Sequence, residues 1–145
     1  MNTKVMFSSK TDQWATPQEF FDKLNEEFHF TLDPCADEFN HKCDRFFSEK
    51  ENGLVQDWSG ETVFCNPPYG RETKKWVQKC FKEVHEGGCP CAVMLIPSRT
   101  DTRWFHQYIY QKAEVRFVKG RLKFGDSKNS APFPSMIVVF RKDQK

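Results

Sequence analysis

The sequence predicts an α/β fold: a mostly parallel sheet, covered by helices on both faces, that ends in an antiparallel C-terminal strand. Two observations lead there. Helical patterns alternate with short apolar runs along the chain, as they do where crossover helices join parallel strands. The last two runs, "EVRFVKG" (114–120) and "SMIVVFR" (135–141), have no helix between them and read as antiparallel neighbours. At 145 residues the chain has length for one domain.

Residues 1–13 carry no periodic pattern and are expected to form a loose arm before a single domain over 14–145. "TPQEFFDKLNEEF" opens a helix, with Thr16 as N-cap, Pro17 in first position and Glu19 closing a capping box. Phe20, Phe21, Leu24 and Phe28 fall on one face of it. "HFTLD" is a strand ending at Asp33, and "RFFS" a second one after a brief helical turn at 39–43. "TVFC" is a third, stopped by Asn66. "RETKKWVQKCFKEVHE" is a helix whose apolar face carries Trp76, Val77, Cys80, Phe81 and Val84. "CAVMLI" (91–96) is apolar throughout, as a strand buried on both faces must be. "DTRWFHQYIYQK" predicts a third helix packing Trp104, Phe105, Tyr108 and Ile109.

Net charge is only +2, but it is unevenly placed. Residues 1–70 hold 6 Lys/Arg against 13 Asp/Glu, or −7; residues 71–145 hold 16 against 7, or +9. A basic half without a charged tail suggests one face built for a polyanion. The opening residues do not read as a signal peptide, and no apolar run approaches the roughly 20 residues of a membrane span. A soluble, cytoplasmic protein is expected. The six cysteines contain no C-x-x-C pair and read as small buried hydrophobes. "HEGGCPC" brings His85, Cys89 and Cys91 close in sequence, but the spacing fails the deaminase zinc pattern, so no metal site is expected.

The run "VFCNPPYG" (63–70) is the most informative. Two prolines cannot donate to a sheet ladder, so the strand must stop at Asn66. The loop reads either as a plain turn or as a rigid support aiming an amide and an aromatic ring at a substrate. In open sheets of this kind, ligands bind beyond the carboxyl ends of the strands. Three such ends carry conspicuous polar residues: Asp33, Asn66 and "PSRTD" (97–101).

Asp33-Pro34-Cys35-Ala36, then Asp57, then Asn66-Pro67-Pro68-Tyr69 stand in an order that resembles amino methyltransferases of nucleobases. More narrowly, the chain resembles the phage-type, Dam-like DNA N6-adenine methyltransferases. The matching segments are "WATPQEFFDKL", "FTLDPCADEFN", "GLVQDW", "FCNPPYG", "LIPSRTDTRWFH", "GRLKFG" and "APFPSMIVVF". The resemblance implies a Rossmann-like fold, S-adenosylmethionine as cofactor and DNA as partner. It implies that the Asn66 oxygen and the Pro67 carbonyl accept the two hydrogens of the adenine amine, held by Pro68, while Tyr69 stacks a flipped-out base. For the cofactor it points to Asp33, Cys35 and Ala36 at the methionine end, Thr16 and Pro17 at the carboxylate, and Asp57 at the adenine amine. Glu49 is a weaker candidate for the ribose. The resemblance departs in one place, because "DPCADEF" lacks the Gly-rich turn usual after the first strand.

No insertion is large enough for a separate target-recognition domain. Sequence reading is therefore expected from 98–104 and 119–134, where Arg99, Arg103, Lys119, Arg121 and Lys123 are placed to meet phosphates. Phe124 or Phe133 is a candidate for packing against the base. Two other readings stay open. One keeps the fold and changes the acceptor to RNA guanine or a protein amide; the other is a DNA-binding module without the reaction.

Overall fold

The computed structural model describes residues 15–124 and 130–142, and the expected N-terminal arm lies outside them. Six strands form one sheet: β1 Leu32–Asp33, β2 Arg45–Phe46, β3 Thr62–Cys65, β4 Cys91–Pro97, β5 Glu114–Phe117 and β6 Ser135–Arg141. Their order is β2-β1-β3-β4-β6-β5. β2, β1, β3 and β4 run parallel, and β6 is antiparallel to both β4 and β5. β5 therefore points the same way as β4, so the carboxyl ends of five strands share one edge.

Helix α1 (Gln18–Phe28) and helix α2 (Thr73–His85) cover opposite faces. Successive strand residues point to opposite sides, and β3 uses both. Phe64 meets Phe21 of α1 edge-on at 5.1 Å, while Cys65 lies against Cys80 of α2. β4 and β6 form the floor of the core, with 92–96 and 136–140 fully or almost fully buried. Their apolar runs leave no polar face, which is why both are central strands.

Three local expectations are corrected. Helix α1 starts after Pro17, and Thr16 makes no capping bond, because its hydroxyl is engaged across the sheet edge. The 39–43 segment is no helical turn. Asp37 Oδ1 accepts from the backbone N–H of Phe39 (2.8 Å) and Asn40 (2.9 Å), which closes a side-chain turn instead. The expected third helix shrinks to a π-helical stretch, Phe105–Ile109, after which Gln111 adopts φ 62°. Phe105 and Ile109 are buried and Trp104 and Tyr108 pack against the core, as expected, but Tyr110 is 53% exposed, so the apolar face ends there. Among the described residues no helix is long and apolar enough to cross a membrane.

Candidate active site

At the shared carboxyl edge, the loops after β1, β2 and β3 and the start of α2 enclose a cavity of about 600 Å³. β1 delivers Asp33, which is 4% exposed and accepts from the backbone N–H of Lys42 at 2.9 Å. Burial raises its carboxyl to about 7, against the pull of the Lys42 and Cys35 N–H groups. Cys35 and Ala36 line the same wall, and burial pushes the Cys35 thiol up, keeping it neutral. The Ala36 N–H donates to Phe47 O (3.1 Å) and the Phe47 N–H to Asp33 O (3.1 Å), tying this loop to the end of β2. Ser48 and Glu49 then enter the cavity wall.

The close backbone approach that a Gly-rich turn would supply comes from elsewhere. Gly53, buried in a 3-10 turn (Gly53–Val55), lies against Pro34 so tightly that a Cβ would sit 2.1 Å from the Pro34 carbonyl oxygen. That turn brings Asn52, Gly53 and Leu54 to the cavity. It is anchored by Trp58, fully buried, whose Nε1–H donates to Gly53 O at 3.0 Å. Trp58 also stacks on Trp76 of α2.

Asn66 stands at the cavity edge directly after β3. Its Nδ2 donates to Thr16 Oγ1 at 2.9 Å, and its Oδ1 accepts from the Tyr69 hydroxyl at 2.7 Å. Tyr69 is 7% exposed, lies 3.2 Å from Leu95 O, and meets Phe124 and Phe133 edge-on at 6.0 and 5.4 Å. Thr73 Oγ1 donates to Pro68 O at 3.1 Å, and Gly70 takes φ 109°, a conformation that favours glycine. The "NPPY" loop is thus held by α2, β4 and the segment before α1. Thr16 and Pro68 line the cavity with Asn66.

Several expected positions lie elsewhere. Asp57 is exposed and outside the cavity. Its Oδ1 accepts from Ser59 N–H (3.0 Å) and Ser59 Oγ (2.6 Å), because burial of the adjacent Trp58 turns it outward. Pro17 precedes α1 and does not line the cavity, and buried Pro67 and Tyr69 sit behind its wall. Arg99, Arg103, Lys119, Arg121 and Lys123 are all exposed, on segments leaving the carboxyl ends of β4 and β5. A narrower cleft beside the cavity shares Glu72 and Lys75 with it and adds Arg71, Lys74 and Trp104. Sequence reading missed Asn52, Leu54 and Lys75; the "ENGL" before "VQDW" was the available signal for the first two. Cys89 Sγ donates to Glu61 O or Cys91 O, each at 3.3 Å, and His85 packs on Phe81. Among the described residues no group of three or more His, Cys, Asp or Glu could hold a metal ion.

The family model for DNA N-6-adenine-methyltransferase (Dam) matches residues 3–145. The chain belongs to this family. A DNA N-6-adenine-methyltransferase of Escherichia phage T1 is 30% identical over 113 residues, which is 77% of this chain and 46% of the phage protein. The chain thus spans less than half the length of that relative. The protein YfdM of Escherichia coli (strain K12) is 38% identical over 65 residues, 40% of this chain and 71% of YfdM. The mixed sheet with its antiparallel C-terminal strands is the α/β architecture expected of this family.

Proposed function

We propose that this protein transfers a methyl group from S-adenosylmethionine to the N6 amine of adenine in DNA. The observation that carries the reading is the Asn66 amide, fixed by two hydrogen bonds at the rim of a cavity whose inner wall bears the buried Asp33 carboxyl. It gains support from membership of the Dam family along almost the whole chain.

The cavity fits the cofactor in size and in donor set. Its volume of about 600 Å³ lies within the roughly 300–1,000 Å³ of small-molecule sites. Asp33 would receive the ammonium group, Glu49 and Asn52 the ribose hydroxyls, and Leu54 would give the adenine an apolar wall. When bound, the cofactor supplies an electrophilic methyl group on a sulfonium. The protein's part is to make a poor nucleophile attack it. The adenine amine is unreactive because its lone pair is delocalised into the ring. An Asn66 oxygen and a Pro67 carbonyl holding both amine hydrogens would leave that pair aimed at the methyl group. The same acceptors stabilise the positive charge that develops on nitrogen. The base must first leave the duplex, where its amine is paired.

Incubating the purified protein with DNA and S-adenosylmethionine, then mapping N6-methyladenine by position, tests the reading directly. Asn66→Ala should lower the single-turnover rate at least about a hundredfold, the loss typical of one preorganised polar partner, while cofactor affinity stays near the parental value. Asn66→Asp, which keeps an oxygen in place, should retain part of the activity. Methylation by Asn66→Ala at the parental rate would reduce "NPPY" to a turn.

A further inference from the structure

Helix α2 touches the site at more than one point. Its first residue, Thr73, donates to Pro68 O in the "NPPY" loop. Trp76, one turn on, lines the cavity and stacks on Trp58, whose indole N–H holds Gly53 O. Lys79 and Glu83 continue the same helical face. Lys79 Nζ donates to Gln56 O at 2.5 Å and lies 5.1 Å from the Trp58 ring centroid. Glu83 Oε1 accepts from the Trp58 backbone N–H at 2.7 Å. The two side chains also pair with each other at 3.2 Å, only 15% and 17% exposed.

Support of the helix itself does not account for this pair. An i, i+4 ion pair stabilises a helix better with the acid first, and here the lysine comes first. Glu83 also stands in the last turn of α2, where the macrodipole disfavours a carboxylate. Both side chains instead end on the backbone of 56–58. That segment continues the turn that brings Asn52, Gly53 and Leu54 to the cavity, and the Gln56 N–H closes it by donating to Gly53 O at 3.3 Å. We infer that Lys79 and Glu83 are positioning residues for the methyl donor: by holding the Gln56 carbonyl and the Trp58 N–H, they fix the 53–58 loop on α2 and shape the donor's pocket before it binds. This rests on the proposed function and extends it, because it puts a determinant of cofactor affinity on two residues that do not line the cavity. A loop that also populated other positions would lower apparent affinity by the fraction of time spent out of place. Asn66 would be untouched, since its bonds to Thr16 and Tyr69 lie elsewhere.

The test measures S-adenosylhomocysteine affinity by calorimetry, the cofactor KM, and the single-turnover methylation rate at saturating cofactor. Lys79→Met keeps the aliphatic stem over Trp58 and loses the bond to Gln56. Glu83→Ala leaves the Trp58 N–H without its acceptor. Each should weaken S-adenosylhomocysteine binding about tenfold, the scale of one sheltered hydrogen bond, and raise the cofactor KM in parallel. The saturated single-turnover rate should stay parental. Glu83→Gln, which keeps an acceptor oxygen, should recover most of the affinity; it is read against the parental protein if Glu83→Ala does not fold. Val84→Ala, a cavity in the same helix that removes no bond to 56–58, should lower the melting temperature and leave affinity parental. Parental affinity in Lys79→Met, no recovery in Glu83→Gln, or an equal loss in Val84→Ala overturns the inference and leaves the methyltransferase reading standing. No binding of S-adenosylhomocysteine by the parental protein removes that reading, and this inference with it.

Discussion

Asp33 is a carboxyl held where its charge is costly, with burial raising it from the ordinary 3.8 to about 7. The consequence for stability has a definite sign. A group raised on folding stabilises the fold fully below its unfolded value, and that contribution is lost as pH rises through the folded value, here between about 4 and 7. A cation placed beside Asp33 reverses the preference by favouring the carboxylate. If Asp33 receives the ammonium of the proposed cofactor, cofactor affinity should fall as pH drops from 8 to 6, and Asp33→Asn should be weaker and flat across that range. Calorimetric titration at several pH values measures both. A flat parental profile would mean that no cationic group lies beside Asp33. The same substitution should not destabilise the empty protein at pH 8, since it deletes a buried charge, so thermal melting separates the binding role from a structural one.

Elements rather than single residues decided how much of this was legible. "TVFC", "CAVMLI" and "SMIVVFR" became central strands almost at the positions read, because a run buried on both faces has no other home. The 105–109 stretch kept its expected face, with Phe105 and Ile109 buried and Trp104 and Tyr108 packed against the core, but the helix stops short where Gln111 takes φ 62°. At "VQDW" the structure separates the motif's carboxylate from the cavity lining. Asp57 carried the resemblance, but the element is anchored by Trp58 and approaches the cavity through Gly53 and Leu54. Nothing local in "ENGL" announces contact with Pro34, which is made across some twenty residues of chain. Asp57→Ala is therefore expected to leave cofactor affinity unchanged. Gly53→Ala has no such freedom, because its Cβ would meet backbone that cannot move alone. It should cost about 1–3 kcal/mol, the range for overpacking, and should weaken cofactor binding by shifting the 34–36 wall. Parental melting temperature and affinity in that variant would show that the two loops move independently.

Across the whole molecule, the parallel strands give the charge asymmetry a direction. Five strands end on one edge, and that edge carries Asn66, the cavity and the exposed Arg99, Arg103, Lys119, Arg121 and Lys123. The +9 half was readable from composition, but its facing the same way as Asn66 follows from β5 and β4 running in the same direction, which only the sheet order reveals. Arg141 and Arg116 show that charge alone does not make a DNA contact. They belong to the basic half, yet they pair with Glu114 and Glu27 on the flank of the sheet, where they hold α1 to β5 and β6. Arg121 and Lys123 have no carboxylate within ion-pair distance among the described residues, and Arg121 reaches only the Ala131 carbonyl oxygen, at 3.4 Å. Replacing both with Ala should weaken DNA binding at every sequence by a similar factor. If each neutralises one phosphate, the slope of log affinity against log salt should become shallower by about two, since each lost contact retains roughly 0.9 of a counterion. Affinities for a target and a scrambled duplex, measured across a salt series, provide both quantities. An unchanged slope would put the phosphate-binding face on other residues, with the Arg71, Lys74 and Lys75 cleft beside Asn66 the next to replace.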